Sequence, residues 1–142
     1  MDEFAAKPKE RIMQKAHFIL YVSDQEQSKR FYSSVLKRKA TLDVAGMTEF
    51  ELNDNCVLGL MPETGIKKLL GNVIPDPSAA SGIPRAELYL LVDNLNEYHS
   101  RALENGGIEL SKPCLRDWGD LVAYSLDLDG HVLAFAQKHP SK

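Results

Sequence analysis

Residues 17–24 read His-Phe-Ile-Leu-Tyr-Val-Ser-Asp, and residues 87–94 read Glu-Leu-Tyr-Leu-Leu-Val-Asp-Asn. Each is a short apolar, β-favouring run that ends in a helix-start signal and leads into an amphipathic segment. Each half closes on a matching late run, Val57-Leu-Gly-Leu60 and Val132-Leu-Ala-Phe135. Val22 corresponds to Val92, and Val35-Leu36 corresponds to Ala102-Leu103. Between those two pairs the offset shortens by three residues, close to one helical turn. A gap of a whole turn keeps the buried face of a helix in phase. Such a chain is constrained to build one folding unit twice, with any shared site lying between the copies.

The 142 residues suit a single domain, with module 1 at about 15–61, a connection at about 62–85 and module 2 at about 86–138. In the first module, strands are predicted at 17–22, 40–44, 48–52 and 56–61. Its helix starts at Ser23 or Asp24 and buries Phe31, Val35 and Leu36. In the second, strands are predicted at 87–92, 108–111, 121–127 and 131–137. Asp93 is the expected helix cap, Leu95, Tyr98, Ala102 and Leu103 form the apolar helix face, and Asn105-Gly106-Gly107 is the stop signal. Asp127–Gly130 reads as a hairpin turn, which leaves His131 as an exposed turn residue. The connection is rich in Pro and Gly, with one short helical turn near 66–70. Residues 1–14 read as a loose lead-in.

Alternation along a strand assigns the two faces. Phe18, Leu20 and Val22, like Leu88, Leu90 and Val92, should face the helices. His17, Ile19 and Tyr21 in one half, and Glu87, Tyr89 and Leu91 in the other, should face away. If those uncovered faces curl together, they form a cup lined by His17, Tyr21, Glu87 and Tyr89. Gly59 and Ala134 are its floor. Trp118 sits between Asp117 and Gly119 at a loop-to-strand entry, and Arg85 and Arg116 flank the cup entrances, where the alternatives are an anchor for an anionic group and a solvated loop arginine. A carboxylate beside the His17 imidazole would make a proton-transfer pair, and Glu87 is the candidate partner.

A formal net charge of -3 gives no case for nucleic acid or an anionic membrane surface. Two cysteines, Cys56 and Cys114, are too few for a disulfide scaffold and fit a reducing compartment. Without a long apolar run or an apolar leader-like segment, the expected location is cytoplasmic.

The order HFILYVSD, FYSSVL, ELYLLVDN and RDWGDLVAYSLDLDGHVLAF resembles the vicinal oxygen chelate superfamily over about residues 15–138. That superfamily includes glyoxalase I, bleomycin-resistance and fosfomycin-resistance proteins and extradiol dioxygenases. The resemblance implies an α+β fold of two tandem βαβββ modules, forming a curved mixed sheet with helices on the outer face. It also implies a homodimer and a small-molecule ligand. Metal-using members place ligands at positions that correspond here to His17, Gly59, Glu87 and Ala134. Two of these have no donor side chain, so no metal cofactor is expected. The expected function is small-molecule binding in the cup, by Tyr21, Gly59, Tyr89, Trp118, Ala134 and Arg116, with His17 and Glu87 as the catalytic candidates. The alternative is a divalent-metal-dependent lyase of the glyoxalase (lactoylglutathione lyase) type, or a dioxygenase, using His17 and Glu87 with Glu49 or Glu51 as a further acid. A third reading is an accessory domain that has lost its ligand.

Overall fold

The computed structural model describes residues 13–139, so the lead-in expected at residues 1–14 lies mostly outside the described residues. Module 1 runs β1 (Ala16–Val22), α1 (Gln25–Leu36), β2 (Leu42–Val44), β3 (Met47–Asn53) and β4 (Cys56–Pro62). Module 2 runs β5 (Glu87–Leu91), α3 (Leu95–Glu104), β6 (Ile108–Leu115), β7 (Asp120–Leu126) and β8 (Val132–Lys138). Each is a βαβββ unit, as the repeat predicts. The strands form two four-stranded mixed sheets, ordered β1-β4-β3-β2 and β5-β8-β7-β6. The two sheets have the same topology: the first strand of each module pairs in parallel with the last, and the remaining pairs are antiparallel.

Local chemistry accounts for the helix ends. The Asp24 carboxylate caps α1 by accepting from the Gln27 N–H at 2.9 Å. In α3 the cap is Asn94, one residue beyond the expected Asp93; its side chain accepts from the Glu97 N–H. The connection is more structured than its Pro and Gly content suggests. It holds α2 (Glu63–Leu70) and two 3-10 turns, Gly71–Val73 and Pro77–Ala80. Asp76 starts the second turn by accepting from the Ser78 N–H and hydroxyl.

The helix-side faces of both sheets join one apolar core. Leu20, Val22, Phe31, Tyr32, Val35, Phe50, Leu58 and Leu60 of module 1 pack in the same cluster as Leu95, Ala102, Ala123, Leu133 and Phe135 of module 2. The helices α1 and α3 meet directly, and Arg101 Nε donates to the Val35 carbonyl at 3.0 Å. Phe18 departs from its expected burial. It shares the face of Leu20 and Val22 but is 56% exposed, because the core packing begins at Leu20.

A buried polar cluster bolts the modules together. Asp127 Oδ1 accepts from the N–H groups of Asp129 and His131, which shapes the turn between β7 and β8. Its Oδ2 accepts from the Tyr32 hydroxyl of α1 at 2.5 Å and lies 2.9 Å from His131 Nδ1. Asp129 reaches module 1 by accepting from the Ser23 N–H and the Ser28 hydroxyl. His131 is therefore buried, at 2% exposure, and not the exposed turn residue the hairpin pattern suggests. The turn folds its polar side chains inward because α1 supplies donors there.

Burial pushes the Asp127 carboxyl up, but the hydrogen bonds from His131 and Tyr32 outweigh it and hold the group below its ordinary 3.8. Folding thus favours the ionised form. Its stabilisation is present above pH 3.8 and is lost as pH falls through the lower folded value. Asp127→Asn is expected to cost about 1–3 kcal/mol at neutral pH and to flatten this acid limb in urea unfolding. Parallel pH profiles for the two proteins would contradict this account.

Candidate functional site

Strand registers place the predicted residues on the faces away from the helices. In sheet 1, His17 pairs with Val57, and Ile19 with Gly59; in sheet 2, Glu87 pairs with Val132, and Tyr89 with Ala134. His17 and Glu87 therefore stand at the same depth in the two copies, with Gly59 and Ala134 two residues further along their strands. This is the equivalence that the repeat implies.

The two faces differ in chemistry. On sheet 1, Glu49 of β3 lies opposite Gly59. The His17 imidazole makes its ion-pair contact with Glu49, Nδ1 to Oε2, at 3.5 Å. Its carboxylate neighbour is thus on the same sheet, and no ion pair or hydrogen bond links it to Glu87 among the described residues. Tyr21 is half-buried, beside Met61. A Cβ at Gly59 would lie 3.1 Å from Ile19 Cγ1 and 3.2 Å from Met47 Sδ. The place of a side chain there is taken by two apolar neighbours.

On sheet 2, small residues make the floor. Val122, Ala134 and Ala136 are fully buried, and Tyr124 packs on them. Arg116 lies over the Tyr124 ring, 5.0 Å from its centroid. Its Nη2 donates to the Ser111 hydroxyl and to the Val122 carbonyl, at 2.7 and 3.1 Å. The guanidinium is thereby committed to its own sheet, although it keeps one buried N–H, at Nε, without a partner. The centre of this face is a relay of three groups. The Trp118 indole Nε1–H donates to the Tyr89 hydroxyl at 2.8 Å, and that hydroxyl donates to Asp120 Oδ2 at 2.5 Å. Asp120 is 6% exposed, whereas Tyr89 and Trp118 are 37% and 59% exposed. Burial and the Asp120 hydrogen bond raise the Tyr89 phenol above its ordinary pKa, against the opposing bond from Trp118. The result is an exposed indole whose polar atom is satisfied and whose position is fixed.

A groove of ≈ 540 Å³ runs beside the free edge of β5. Leu36 and Arg38 at the end of α1, Leu52 and Cys56 of the β3–β4 hairpin, and Tyr89 and Leu91 of β5 line it. Its size is within the usual range for small-molecule sites. Of the predicted residues only Tyr89 lines it, because the groove is made by elements distant in sequence. Asp120, too, was not singled out from sequence; its position facing Tyr89 follows only from the β5-β8-β7 strand order. Arg85 is not at a cup rim. It donates to the Ala80 and Ile83 carbonyls and touches His131 in the cluster between the modules.

Among the described residues, the four positions do not bring together a chelating donor set. Position 59 is crowded and without a donor, position 134 is a buried alanine, and His17 has one nearby carboxylate. Among the described residues, no three His, Cys, Asp or Glu side chains come close enough to hold a metal ion.

The model of the Glyoxalase-like domain family matches residues 15–138. The chain belongs to this family. It thereby falls in the vicinal oxygen chelate superfamily. Solved structures of the same fold include a glyoxalase-related enzyme from Fulvimarina pelagi, 22% identical, with 89% of each chain covered and a TM-score of 0.74. Another is a glyoxalase/bleomycin resistance protein/dioxygenase from Nocardioides, 16% identical, covering 100% of this chain and 96% of that one, with a TM-score of 0.70. A third, a glyoxalase/bleomycin resistance protein/dioxygenase family enzyme from Burkholderia phytofirmans PsJN, is 12% identical, covering 87% and 97%, with a TM-score of 0.72. The comparison with curated proteins gave no match. No helix among the described residues is long and apolar enough to cross a membrane.

Trp118 is the only tryptophan in the chain, so its fluorescence reports directly on the relay. Tyr89→Phe removes the acceptor of the indole N–H and is expected to shift the emission maximum of the folded protein. Unchanged emission would show that the indole does not rest on Tyr89.

Proposed function

We propose that this glyoxalase-like chain captures a small organic molecule between paired modules, by aromatic contact and a few polar anchors, without the metal site typical of its superfamily. The observation that carries this reading is the Trp118–Tyr89–Asp120 relay. It presents a fixed aromatic surface on the open face, where a ligand can stack without the cost of ordering the ring. The residues at positions 59 and 134, which would complete a metal site, offer floor rather than donors. Tyr21 and Tyr89 line the cup, and Arg116 supports the wall by packing on Tyr124.

The second reading is an enzyme in which His17 moves a proton. Its support is the imidazole–carboxylate contact, with Glu49 as the orienting acid. Glu87 stands at the equivalent depth of the other module, and joins this pair only if the two open faces meet. A divalent-metal lyase or dioxygenase would use the same His17 and Glu87 with donors from water or substrate. We further propose a homodimer, because Ile19, Leu91 and Trp118 leave apolar surface on the open faces that a second copy would cover. Two free cysteines favour a cytoplasmic location.

A thermal-shift screen of aromatic metabolites and drugs, followed by titration on Trp118 fluorescence, tests the binding reading. Trp118→Ala is expected to weaken a hit at least about tenfold, equivalent to about 1.4 kcal/mol. Equal affinity in the variant would remove the aromatic wall from the site. Protein purified without chelator is expected to hold metal well below one equivalent. Stoichiometric zinc, nickel, iron or manganese, lost on His17→Ala, would replace this reading with the metal enzyme.

A further inference from the structure

The repeat brings the two modules together at two corresponding junctions. In one, the β7–β8 turn meets the start of α1, and the Asp127 cluster fills the space with hydrogen-bonded side chains. In the other, the β3–β4 turn approaches β5 and α3, and the groove of ≈ 540 Å³ lies between them. The two turns share an internal bond: Asn53 Oδ1 accepts from the Asn55 N–H at 2.9 Å, as Asp127 Oδ1 does from the Asp129 N–H. They differ in what reaches across. Amides at 53 and 55 stand where the other turn has the carboxylates of 127 and 129. Tyr32, which crosses to Asp127, has His99 as its counterpart in α3, and His99 Nε2 turns instead to Glu109 of its own module, at 2.9 Å. Among the described residues, no hydrogen bond runs from residues 53–55 to module 2. Where one junction has a bolt, the other has an opening.

That opening combines apolar walls with two charges. Leu36, Leu52, Leu91 and Tyr98 are the walls. The Tyr98 ring is fixed by Phe135, with ring centroids 5.5 Å apart, and by Arg101, 4.6 Å from its own centroid. Arg101 is itself engaged, by Glu97 and by the Val35 carbonyl. The two charges are Arg38 and Asp93, which line the same groove. Arg38 Nη1 donates to the Glu51 carbonyl at 2.6 Å, and among the described residues no carboxylate is within ion-pair distance of the guanidinium. Among the same residues, the Asp93 carboxylate accepts no hydrogen bond and pairs with no cation. The groove thus carries one cation and one anion that do not pair with each other.

We propose that this junction groove binds a small zwitterion with an apolar side chain, a free hydrophobic α-amino acid. Its carboxylate sits on Arg38, its ammonium on Asp93 and its side chain against the leucines and Tyr98. The lining selects this class over simpler ones. An uncharged apolar ligand would strip water from two unpaired charges. A plain carboxylate would suit the Arg38 guanidinium, whose fork of N–H groups matches it, but would meet repulsion from Asp93. A plain amine would suit Asp93 and be repelled by Arg38. A zwitterion satisfies both, and an apolar lining with a few polar anchors is the usual make-up of a small-molecule site. The groove uses neither Trp118 nor the floor positions Gly59 and Ala134, so it stands whether or not the open faces hold a ligand. Tyr89 alone is common to the groove and the aromatic relay.

The test is a nitrogen-15 NMR titration of the whole chain at about pH 7, where all the probes are charged. The probes are L-phenylalanine, phenethylamine, which lacks the carboxylate, and 3-phenylpropionate, which lacks the ammonium. L-phenylalanine is expected to shift the amides of Asn53, Cys56 and Asp93 saturably, and each of the other two to bind at least about tenfold more weakly. Arg38→Gln is expected to abolish the preference for L-phenylalanine over phenethylamine. Asp93→Asn is expected to abolish its preference over 3-phenylpropionate. The proposal is overturned by the absence of saturable shifts with L-phenylalanine, by equal affinity for the three probes, or by preferences that survive both substitutions. Shifts at Gly59 and Ala134 in place of Asn53 and Asp93 would also overturn it, and would assign the amino acid to the open faces instead.

Discussion

The Asp127 carboxylate accepts from two backbone N–H groups of its own turn, from the Tyr32 hydroxyl of the other module and from the His131 ring. A buried carboxylate with fewer partners would cost several kcal/mol, since water no longer solvates it. With them, the last hairpin has one conformation and α1 one position against it. Because α1 and α3 also share a single apolar core, the same interaction fixes how the two sheets are set relative to each other. The open faces inherit that arrangement.

The two copies use the same backbone for different chemistry. Parallel pairing of first and last strands puts His17 and Glu87 at one depth, and Gly59 and Ala134 at another. On sheet 1, the glycine is crowded by Ile19 and Met47, and the acid that meets His17 comes from β3. On sheet 2, the alanines form a closed floor under aromatic rings, and the acid on β7 orients Tyr89. One sheet ends as a polar pair and the other as an aromatic surface.

The repeat in the sequence was a sound guide to both βαβββ units, their strand faces and the equivalence of residues 17 and 87. These are local properties, since strand alternation and helix periodicity are set by neighbours in the chain. Reading failed where a residue's partner was distant. His131 followed a hairpin glycine and so read as exposed, but donors on α1, about a hundred residues earlier, draw that turn inward. Arg85 read as an anchor at a cup rim and instead holds the connection. Asp120 gave no signal at all, because an acid before a strand is ordinary until Tyr89 is placed beside it two strands away.

From the sequence alone came the tandem architecture, the strand faces, and the lack of donor side chains at positions 59 and 134, which the family resemblance singles out. Only the tertiary structure decided which acid meets which partner: Glu49 with His17, Asp120 with Tyr89, and Asp127 with Tyr32 and His131. The physical reason is that periodicity specifies the face on which a side chain lies. Hydrogen bonds act only within about 3.5 Å, and that proximity is set by strand order and by the packing of one helix on another.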